Sequence, residues 1–175
     1  MKKLMSIALL VSGMIASTSL KAQDEDKSKR PSPPVMVTQK IASGATISID
    51  YSQPSVKGRT LGKDLEPMQG KVWRTGANEA TVFTTDKDLM IDGKKLPAGK
   101  YSMFTIFNGE DATVIFNKTW KQWGAFKYNE ADDALRVKAS VEPAATPAEQ
   151  MTFTISPAGK IDLMWSDKTM DFAVE

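Results

Sequence analysis

The chain has 175 residues, with 23 Lys and Arg, 21 Asp and Glu, and neither His nor Cys. This length predicts a single domain. The lack of His and Cys argues against zinc, haem and iron–sulfur sites and against Ser-His-Asp or Cys-His catalysis, because those chemistries depend on these side chains. The sequence still allows catalysis by carboxylate, lysine or tyrosine side chains, or a calcium or magnesium site with oxygen ligands. It also allows a protein without catalytic chemistry. We expect no cofactor.

Residues 1–22 have the pattern of a secretory signal peptide. Two lysines precede an apolar run over residues 4–15, and a polar stretch then leads to Ala22 at the predicted cleavage site. The run is shorter than the roughly 20 residues that span a bilayer, so we expect cleavage and no membrane span afterwards. Without Cys, no lipid can be attached through a cysteine after the signal. The sequence therefore predicts a periplasmic or secreted protein.

Cleavage would change the charge balance. The predicted signal holds three of the 23 basic residues and no acid, so the mature chain carries 20 basic and 21 acidic residues and a net charge of −1. No long basic run is left to attract a polyanion, and we expect no nucleic-acid partner. Residues 23–34 are polar and rich in Pro, which predicts a flexible linker before a single domain over residues 35–175.

The domain shows short stretches with the alternation of β-strands, in which every second side chain is apolar. Residues 45–52 alternate strictly, with Ala45, Ile47, Ile49 and Tyr51 on the predicted inner face. An Asp-Gly pair at 92–93 predicts a two-residue hairpin. Other predicted strands in the first part of the domain cover residues 35–41, 71–74, 80–85, 88–91 and 94–96.

The second part of the domain continues this pattern. Residues 100–107 are apolar on both faces, which predicts a central strand, with residues 112–117 as its antiparallel partner. A helical turn is expected at 118–123 and a Pro/Ala-rich loop at 142–149. Further strands are predicted at 134–141, 151–155, 161–165 and 170–174. The chain is therefore predicted to be all-β, an antiparallel sandwich or flattened barrel of about ten short strands with at most one or two short helical turns.

Residues 71–81 (KVWRTGANEAT) gather several polar groups in one predicted strand–turn–strand passage. In a ligand site, Arg74 would bind a carboxylate, phosphate or pair of hydroxyls, Asn78 and Glu79 would add hydrogen bonds, and Trp73 an apolar face. The alternative is internal: Arg74 pairs with Glu79, Gly76 adopts a positive φ, and Trp73 packs in the core.

Trp120 and Trp123 are a second candidate, because three residues apart they would share one face of a helical turn. Two exposed indoles would form a stacking surface for sugars or peptide aromatics. The alternative is that the two rings close one end of the sheet. No acidic cluster has the spacing of a calcium loop, so we predict no metal site.

Several blocks occur in a fixed order along the chain: DYSQPSVKGR at 50–59, KVWRTGANEAT at 71–81, KLPAGKYS at 95–102, VIFN at 114–117 and QWGA at 122–125. Together they resemble a bacterial family of unknown function, DUF2911, from about residue 32 to the end of the chain. The resemblance implies an exported protein of a Gram-negative bacterium. The resemblance implies no activity, ligand or catalytic residue for this chain.

These observations predict an exported, non-enzymatic β-sandwich binding or interaction module. Its ligand would be a glycan, a peptide or another envelope protein, held at Trp73, Arg74, Asn78 and Glu79 with Trp120 and Trp123 nearby. One alternative is a glycan hydrolase that uses Glu79 and Asp50 as its two carboxylates. Another is a structural envelope protein without a small-molecule site. The sequence does not predict an oligomeric state.

Overall fold

The computed structural model describes residues 26–175, and the predicted signal peptide, residues 1–22, lies outside the described residues. The described part of the chain is all-β and antiparallel, which confirms the predicted fold class. Seven strands form one sheet: β1 (Pro34–Lys40), β2 (Thr46–Ser52), β3 (Ala77–Thr85), β6 (Gly99–Asn108), β7 (Asp111–Asn117), β8 (Asp133–Ile155) and β9 (Lys160–Ala173). A hairpin of β4 (Leu89–Ile91) and β5 (Lys94–Leu96) lies between β3 and β6 in the chain.

The strands of the sheet lie in the same order as in the chain, β1-β2-β3-β6-β7-β8-β9. Each strand therefore pairs with the sheet strand that comes before it in the sequence. The alternating side chains of β2, and of Ala45 just before it, are buried on one face, as predicted: Ala45, Ile47, Ile49 and Tyr51 are each no more than 5% exposed. Burial of one such face is the main source of stability in an antiparallel sheet. These residues belong to one continuous core enclosed by the inner face.

The sheet curls until the chain that follows β2 meets β8. The Val56 amide donates to the carbonyl of Glu149 at 2.8 Å, and the Met151 amide donates to the carbonyl of Pro54 at 3.0 Å. Ser55 and Gln150 form an isolated bridge at the same place. These bonds partly close the sheet around its core and satisfy backbone groups that would otherwise be left at an edge.

The last two strands are longer than predicted. Residues 142–149, predicted to be a loop, lie within β8, and the strands predicted separately at 161–165 and 170–174 are both part of β9. Pro143 is opposite Lys168 and Ala148 is opposite Ser166, so the extra residues of β8 form a bulge between two paired positions. Ser166, with φ at 53°, takes up the bend on the other strand. The prediction failed because a bulge tolerates Pro and Ala without ending the pairing.

Two local predictions were wrong. Within the described residues, 71–74 form no strand but a single bridge, in which Trp73 and Thr105 exchange two backbone hydrogen bonds of 2.9 Å. Residues 118–123 form no helical turn. The two short 3₁₀ helices lie at Lys27–Lys29 and Glu130–Asp132, where Asp26 and Asn129 cap them through side-chain oxygens. Capping by Asp and Asn favours such turns in polar segments.

The outer face of the sheet is only partly covered. Phe104 and Ile115 on the central strands are fully buried there, against Tyr128 from the loop that follows β7. This agrees with the prediction that residues 100–107 are apolar on both faces. The outer face of β2 and β3 is left more open, and it carries the candidate site. Among residues 26–175, no helix is long and apolar enough to cross a membrane.

The segment before β1 contacts this outer face. The side-chain amide of Asn78 donates to the carbonyl of Ser32 at 3.0 Å, and the backbone N–H of Gln53 donates to the carbonyl of Pro33 at 2.9 Å. The flexible linker predicted over residues 23–34 stays a prediction. Its described part lies close to the candidate site and contributes side chains to it.

Candidate functional site

Trp73 is part of the core. Its side chain is 2% exposed, its ring lies edge-on to Phe107 at 6.2 Å, and its indole N–H donates to the carbonyl of Gly76 at 3.2 Å. A buried indole with its donor satisfied has little left to offer a ligand beyond an apolar wall. The internal alternative predicted for Trp73 therefore agrees with the structure.

The turn after Trp73 has a different geometry from the expected one. Gly76 does not adopt a positive φ. Thr75 and Asn78 do, at 53° and 54°. Gly76 is needed for space, because a Cβ there would lie 3.1 Å from Thr81 Oγ1 and 3.2 Å from the carbonyl oxygen of Ser52. The positive φ of Asn78 is tolerated because Asn is among the residues that most readily enter this region.

Glu79 pairs with the segment before β1 and not with Arg74. Lys27 Nζ lies 2.9 Å from one carboxylate oxygen, and the Arg30 guanidinium donates to both oxygens at 3.1 Å. Burial raises the pKa of Glu79, but hydrogen bonds from Lys27, its own backbone and Arg30 outweigh this and lower the pKa to about 2. Glu79 is therefore ionised at neutral pH and has its charge satisfied inside the protein.

Arg74 lies in a different place. It lines a separate cavity with Arg59 and Glu66, and its side chain has no hydrogen bond or ion pair to any of residues 26–175. The predicted pairing of Arg74 with Glu79 is therefore absent, and the three polar candidates of residues 71–81 do not form one site. Asn78 links the N-terminal segment to the loop after β7, since its carbonyl accepts from the Gly124 amide at 3.0 Å.

Two adjoining depressions lie on the outer face of β2 and β3, with volumes of about 320 and 380 Å³. Both are lined by Lys27, Glu79, Ala80 and Val82, so they form one continuous surface, which we call the tryptophan groove. Its remaining walls come from the N-terminal segment, the outer face of β1 and β2, and the loop after β7: Arg30, Met36, Asp50, Trp120, Gln122 and Trp123.

Trp120 and Trp123 are both exposed, by 41% and 55%, and both line the tryptophan groove. Each ring is stacked by a cation: Lys100 Nζ lies 5.1 Å from the Trp120 ring, and the Arg30 guanidinium carbon lies 5.8 Å from the Trp123 ring. These contacts orient the indoles without burying them. The pair is therefore available as a surface, although not on the predicted helical turn.

Asp50 supplies a second carboxylate to the groove. It lies opposite Val82, which in turn lies opposite Ser102, so Asp50 points to the outer face. No hydrogen bond or ion pair to its carboxylate is found within the described part of the chain. Burial raises the pKa of Asp50, and the charge of Lys100 opposes that shift. A partly buried carboxylate with open acceptor positions is suited to receive hydroxyl or amide donors from a ligand.

The groove is also lined by residues that were not predicted as site residues, among them Lys27, Arg30 and Met36. Lys27 and Arg30 belong to residues 23–34, for which the sequence predicts a flexible linker. Met36 is 64% exposed on β1, and Phe126 is 86% exposed three residues after Trp123. The sequence signal for the tryptophan groove was the spacing of Trp120, Trp123 and Phe126, because three aromatic residues so close together in a polar loop are unusual on a solvated surface.

The acids of the turn after β3 have structural roles. Asp86 accepts from the Thr46 amide at 2.6 Å, and Asp88 accepts from the Ala98 amide at 2.8 Å and pairs with Lys95 at 2.7 Å. Hydrogen bonds to the ionised form lower the pKa of both carboxyls. No group of three or more acids within residues 26–175 is placed to hold a metal ion.

The fold is a curled antiparallel sheet with a shallow aromatic groove on its outer face. Residues 32–174 match the family described as "Protein of unknown function (DUF2911)", and the chain belongs to this family. The resemblance seen in the sequence is thereby confirmed. No similar protein was found among the curated proteins, and none among the solved structures.

Proposed function

We propose that this protein is an exported, non-enzymatic binding module that holds a glycan in the tryptophan groove. The observation that carries the proposal is the exposure of Trp120 and Trp123 on one groove beside the carboxylate of Asp50, which has no partner among residues 26–175. Sugar rings offer an apolar face that stacks on indole and hydroxyls that donate to a carboxylate. Export rests on the signal-peptide pattern of residues 1–22.

The electrostatics of the groove favour binding over hydrolysis. A glycan hydrolase with two carboxylates needs one of them to hold a proton near neutral pH. Glu79, with its pKa lowered to about 2 by Lys27 and Arg30, is a poor proton donor. Burial also raises the pKa of Asp50, but the second carboxylate that a hydrolase would need is already paired with two cations.

The test is calorimetric titration of the processed protein with a panel of oligosaccharides from bacterial envelopes and a matched panel of short aromatic peptides. We expect saturable binding of one oligosaccharide. Trp123→Ala and Asp50→Asn should each weaken it by about tenfold, the change that corresponds to the loss of one good contact. Phe126→Ala is the control, because this exposed ring does not line the groove.

Each other result has a definite meaning. Binding of a peptide, with the same loss in Trp123→Ala, would replace glycan by peptide as the ligand class. Saturable binding that Trp123→Ala leaves unchanged would place the site elsewhere. No binding of either panel would favour the structural envelope protein. Release of reducing sugar that Asp50→Asn abolishes would restore the hydrolase.

A further inference from the structure

The cavity around Arg74 is separate from the tryptophan groove. Its volume is about 350 Å³, and Ser32 lies on its wall, while Lys27 and Arg30 of the same N-terminal segment line the groove. The segment before β1 therefore runs between the two depressions. The two sites share no lining residue, so the cavity needs its own explanation.

Arg74 is a cation in this cavity that has no partner among residues 26–175. Its Nε atom is buried and has no hydrogen-bond partner, and the side chain forms no ion pair with any described residue. Burial lowers the pKa of Arg74, and the nearby charge of Glu66 opposes that shift without forming a direct bond. A partly buried guanidinium that lacks an acceptor costs free energy, which a bound carboxylate would recover through charge-assisted hydrogen bonds.

Each of the two acids of the cavity, Glu66 and Asp64, accepts a hydrogen bond on one carboxylate oxygen. Glu66 Oε2 accepts from the Met68 amide at 2.7 Å, and Asp64 Oδ1 accepts from the Thr60 amide at 2.6 Å. The second oxygen of each carboxylate has no donor among residues 26–175. These bonds to backbone amides hold both side chains in place, so each presents a fixed acceptor to the cavity.

Arg59 is held in the same way. Its guanidinium donates to the backbone carbonyls of Val56 at 3.0 Å and Ser55 at 2.6 Å. Two of its nitrogens are therefore engaged by the protein, and Arg74 is the better placed of the two guanidiniums to receive a ligand. Two cations and two acids together make the lining electrically balanced.

The equal number of positive and negative side chains in the lining favours a ligand that carries both charges. A phosphate or a dicarboxylate would gain from Arg74 but would be repelled by Glu66 and Asp64. A small zwitterion satisfies both halves, with its carboxylate on the Arg74 fork and its ammonium at the open oxygens of the acids. The buried rings of Trp73 and Trp165 form apolar walls on which a short side chain can pack.

We propose that the Arg74 cavity binds a small zwitterion of the amino-acid type, either a free amino acid or a dipeptide with both ends free. Its carboxylate lies on Arg74, and its ammonium lies beside Glu66 and Asp64. This inference is independent of the proposed function, because no residue of the tryptophan groove takes part in it.

The first experiment needs no variant. The processed protein is titrated by calorimetry with alanine, leucine and alanyl-alanine, and with alanyl-alanine that is amidated at its C-terminus or acetylated at its N-terminus. We expect saturable binding of at least one free zwitterion and about tenfold weaker binding of each blocked form, the loss that removal of one ion pair predicts. Absence of saturable binding by all free forms would overturn the proposal, as would equal binding of free and blocked dipeptide.

The second experiment assigns the site. Arg74→Gln should weaken binding by about tenfold or more. Lys63→Gln is the matched control, because it removes a positive charge from the same exposed loop outside the cavity lining. If Arg74→Gln does not fold, Arg74→Lys keeps the charge but loses the two-pronged geometry, and the same loss of affinity is expected. Unchanged binding in the folded Arg74 variant would overturn the assignment.

Trp123→Ala separates this inference from the proposed function. We expect this variant to bind the zwitterion as the wild type does, whatever it does to oligosaccharide binding. Loss of zwitterion binding in Trp123→Ala would show that the ligand lies in the tryptophan groove and would overturn the assignment to the Arg74 cavity.

Discussion

The Arg30 guanidinium donates to both carboxylate oxygens of Glu79, at 3.1 Å each, and so joins the segment before the sheet to its third strand. The same guanidinium stacks on Trp123. Arg30 is well buried, with its side chain 14% exposed, which makes this contact more specific than an ordinary surface ion pair. It is the central contact that shapes the tryptophan groove.

Glu79→Gln should destabilise the protein in a pH-dependent way. The pKa of Glu79 falls from 4.5 to about 2 on folding, so its ionised form stabilises the native state above pH 4.5, and this contribution is lost as the pH falls towards 2. Because the side chain is 38% exposed, solvent screening reduces the expected cost at neutral pH to about 1 kcal/mol. Urea unfolding of wild type and variant from neutral to acid pH measures this difference.

The control for this prediction is Glu110→Gln, since Glu110 is an exposed acid at the turn between β6 and β7 with no side-chain partner among the described residues. Its difference from the wild type should stay small at every pH. A Glu79→Gln difference that does not shrink on acidification would contradict the assigned ion pairs.

Arg30→Gln should make the tryptophan fluorescence easier to quench. Trp73 and Trp165 are each 2% exposed, so acrylamide reaches mainly Trp120 and Trp123. Removal of the guanidinium uncovers one face of the Trp123 ring, and we expect a larger quenching constant. Lys29→Gln, which removes a cation that stacks on no ring in the described structure, should leave it unchanged. In the background of Trp123→Phe, Arg30→Gln should have no effect on quenching.

Asp50→Asn should stabilise the unliganded protein at neutral pH. Burial raises the pKa of Asp50 above 3.8, so the charged carboxylate is less favourable in the folded state than in the unfolded chain. This gain in stability should be present at neutral pH. It should vanish in acid, where Asp50 of the wild type is protonated in both the folded and the unfolded state. Thermal unfolding at several pH values measures it, with Asp167→Asn on the exposed side of β9 as the comparison. A lower melting temperature in Asp50→Asn would indicate an internal role for the carboxylate.

Gly159→Ala should be among the most damaging single changes in the domain. Gly159 has φ at +91°, and an added Cβ would lie 2.0 Å from the carbonyl oxygen of Val174. The backbone at Val174, directly after β9, must move to avoid it, which costs more than about 3 kcal/mol. Gly93→Ala is the matched control, with φ at +69° and nothing within 4 Å, and it should cost about 1 kcal/mol from the backbone strain alone. Equal free energies of unfolding for the two variants would contradict this.

The strand pattern could be predicted from sequence wherever one face is buried. In residues 45–52 and 134–141 every second side chain is apolar, and burial of that face fixes which residues point inward. The bulge in β8 could not be predicted in this way. Its Pro and Ala residues have the composition of a loop, and only the continued pairing with β9 places them within a strand.

The candidate site was predicted in part. Trp120, Trp123, Glu79 and Asp50 all line the groove, but Arg74 lies in a second cavity. The pairing of Glu79 with Lys27 joins residues 52 positions apart, and local periodicity carries no information about such contacts. For the same reason the sequence suggested Arg74 as the partner of Glu79, because the two are close in the chain.

The bonds that close the sheet have a consequence for how the protein folds. Neighbouring strands of the sheet follow one another along the chain, so most pairings close short loops, whereas the bond between Val56 and Glu149 joins residues far apart in sequence. Closing such a long loop costs more chain entropy, and we expect it to form after the rate-limiting step. Val56→Ala should then accelerate unfolding and leave the refolding rate nearly unchanged, as stopped-flow kinetics can measure. The neighbouring strands of the sheet would thus pair first, and the contact between the chain after β2 and β8 would form last.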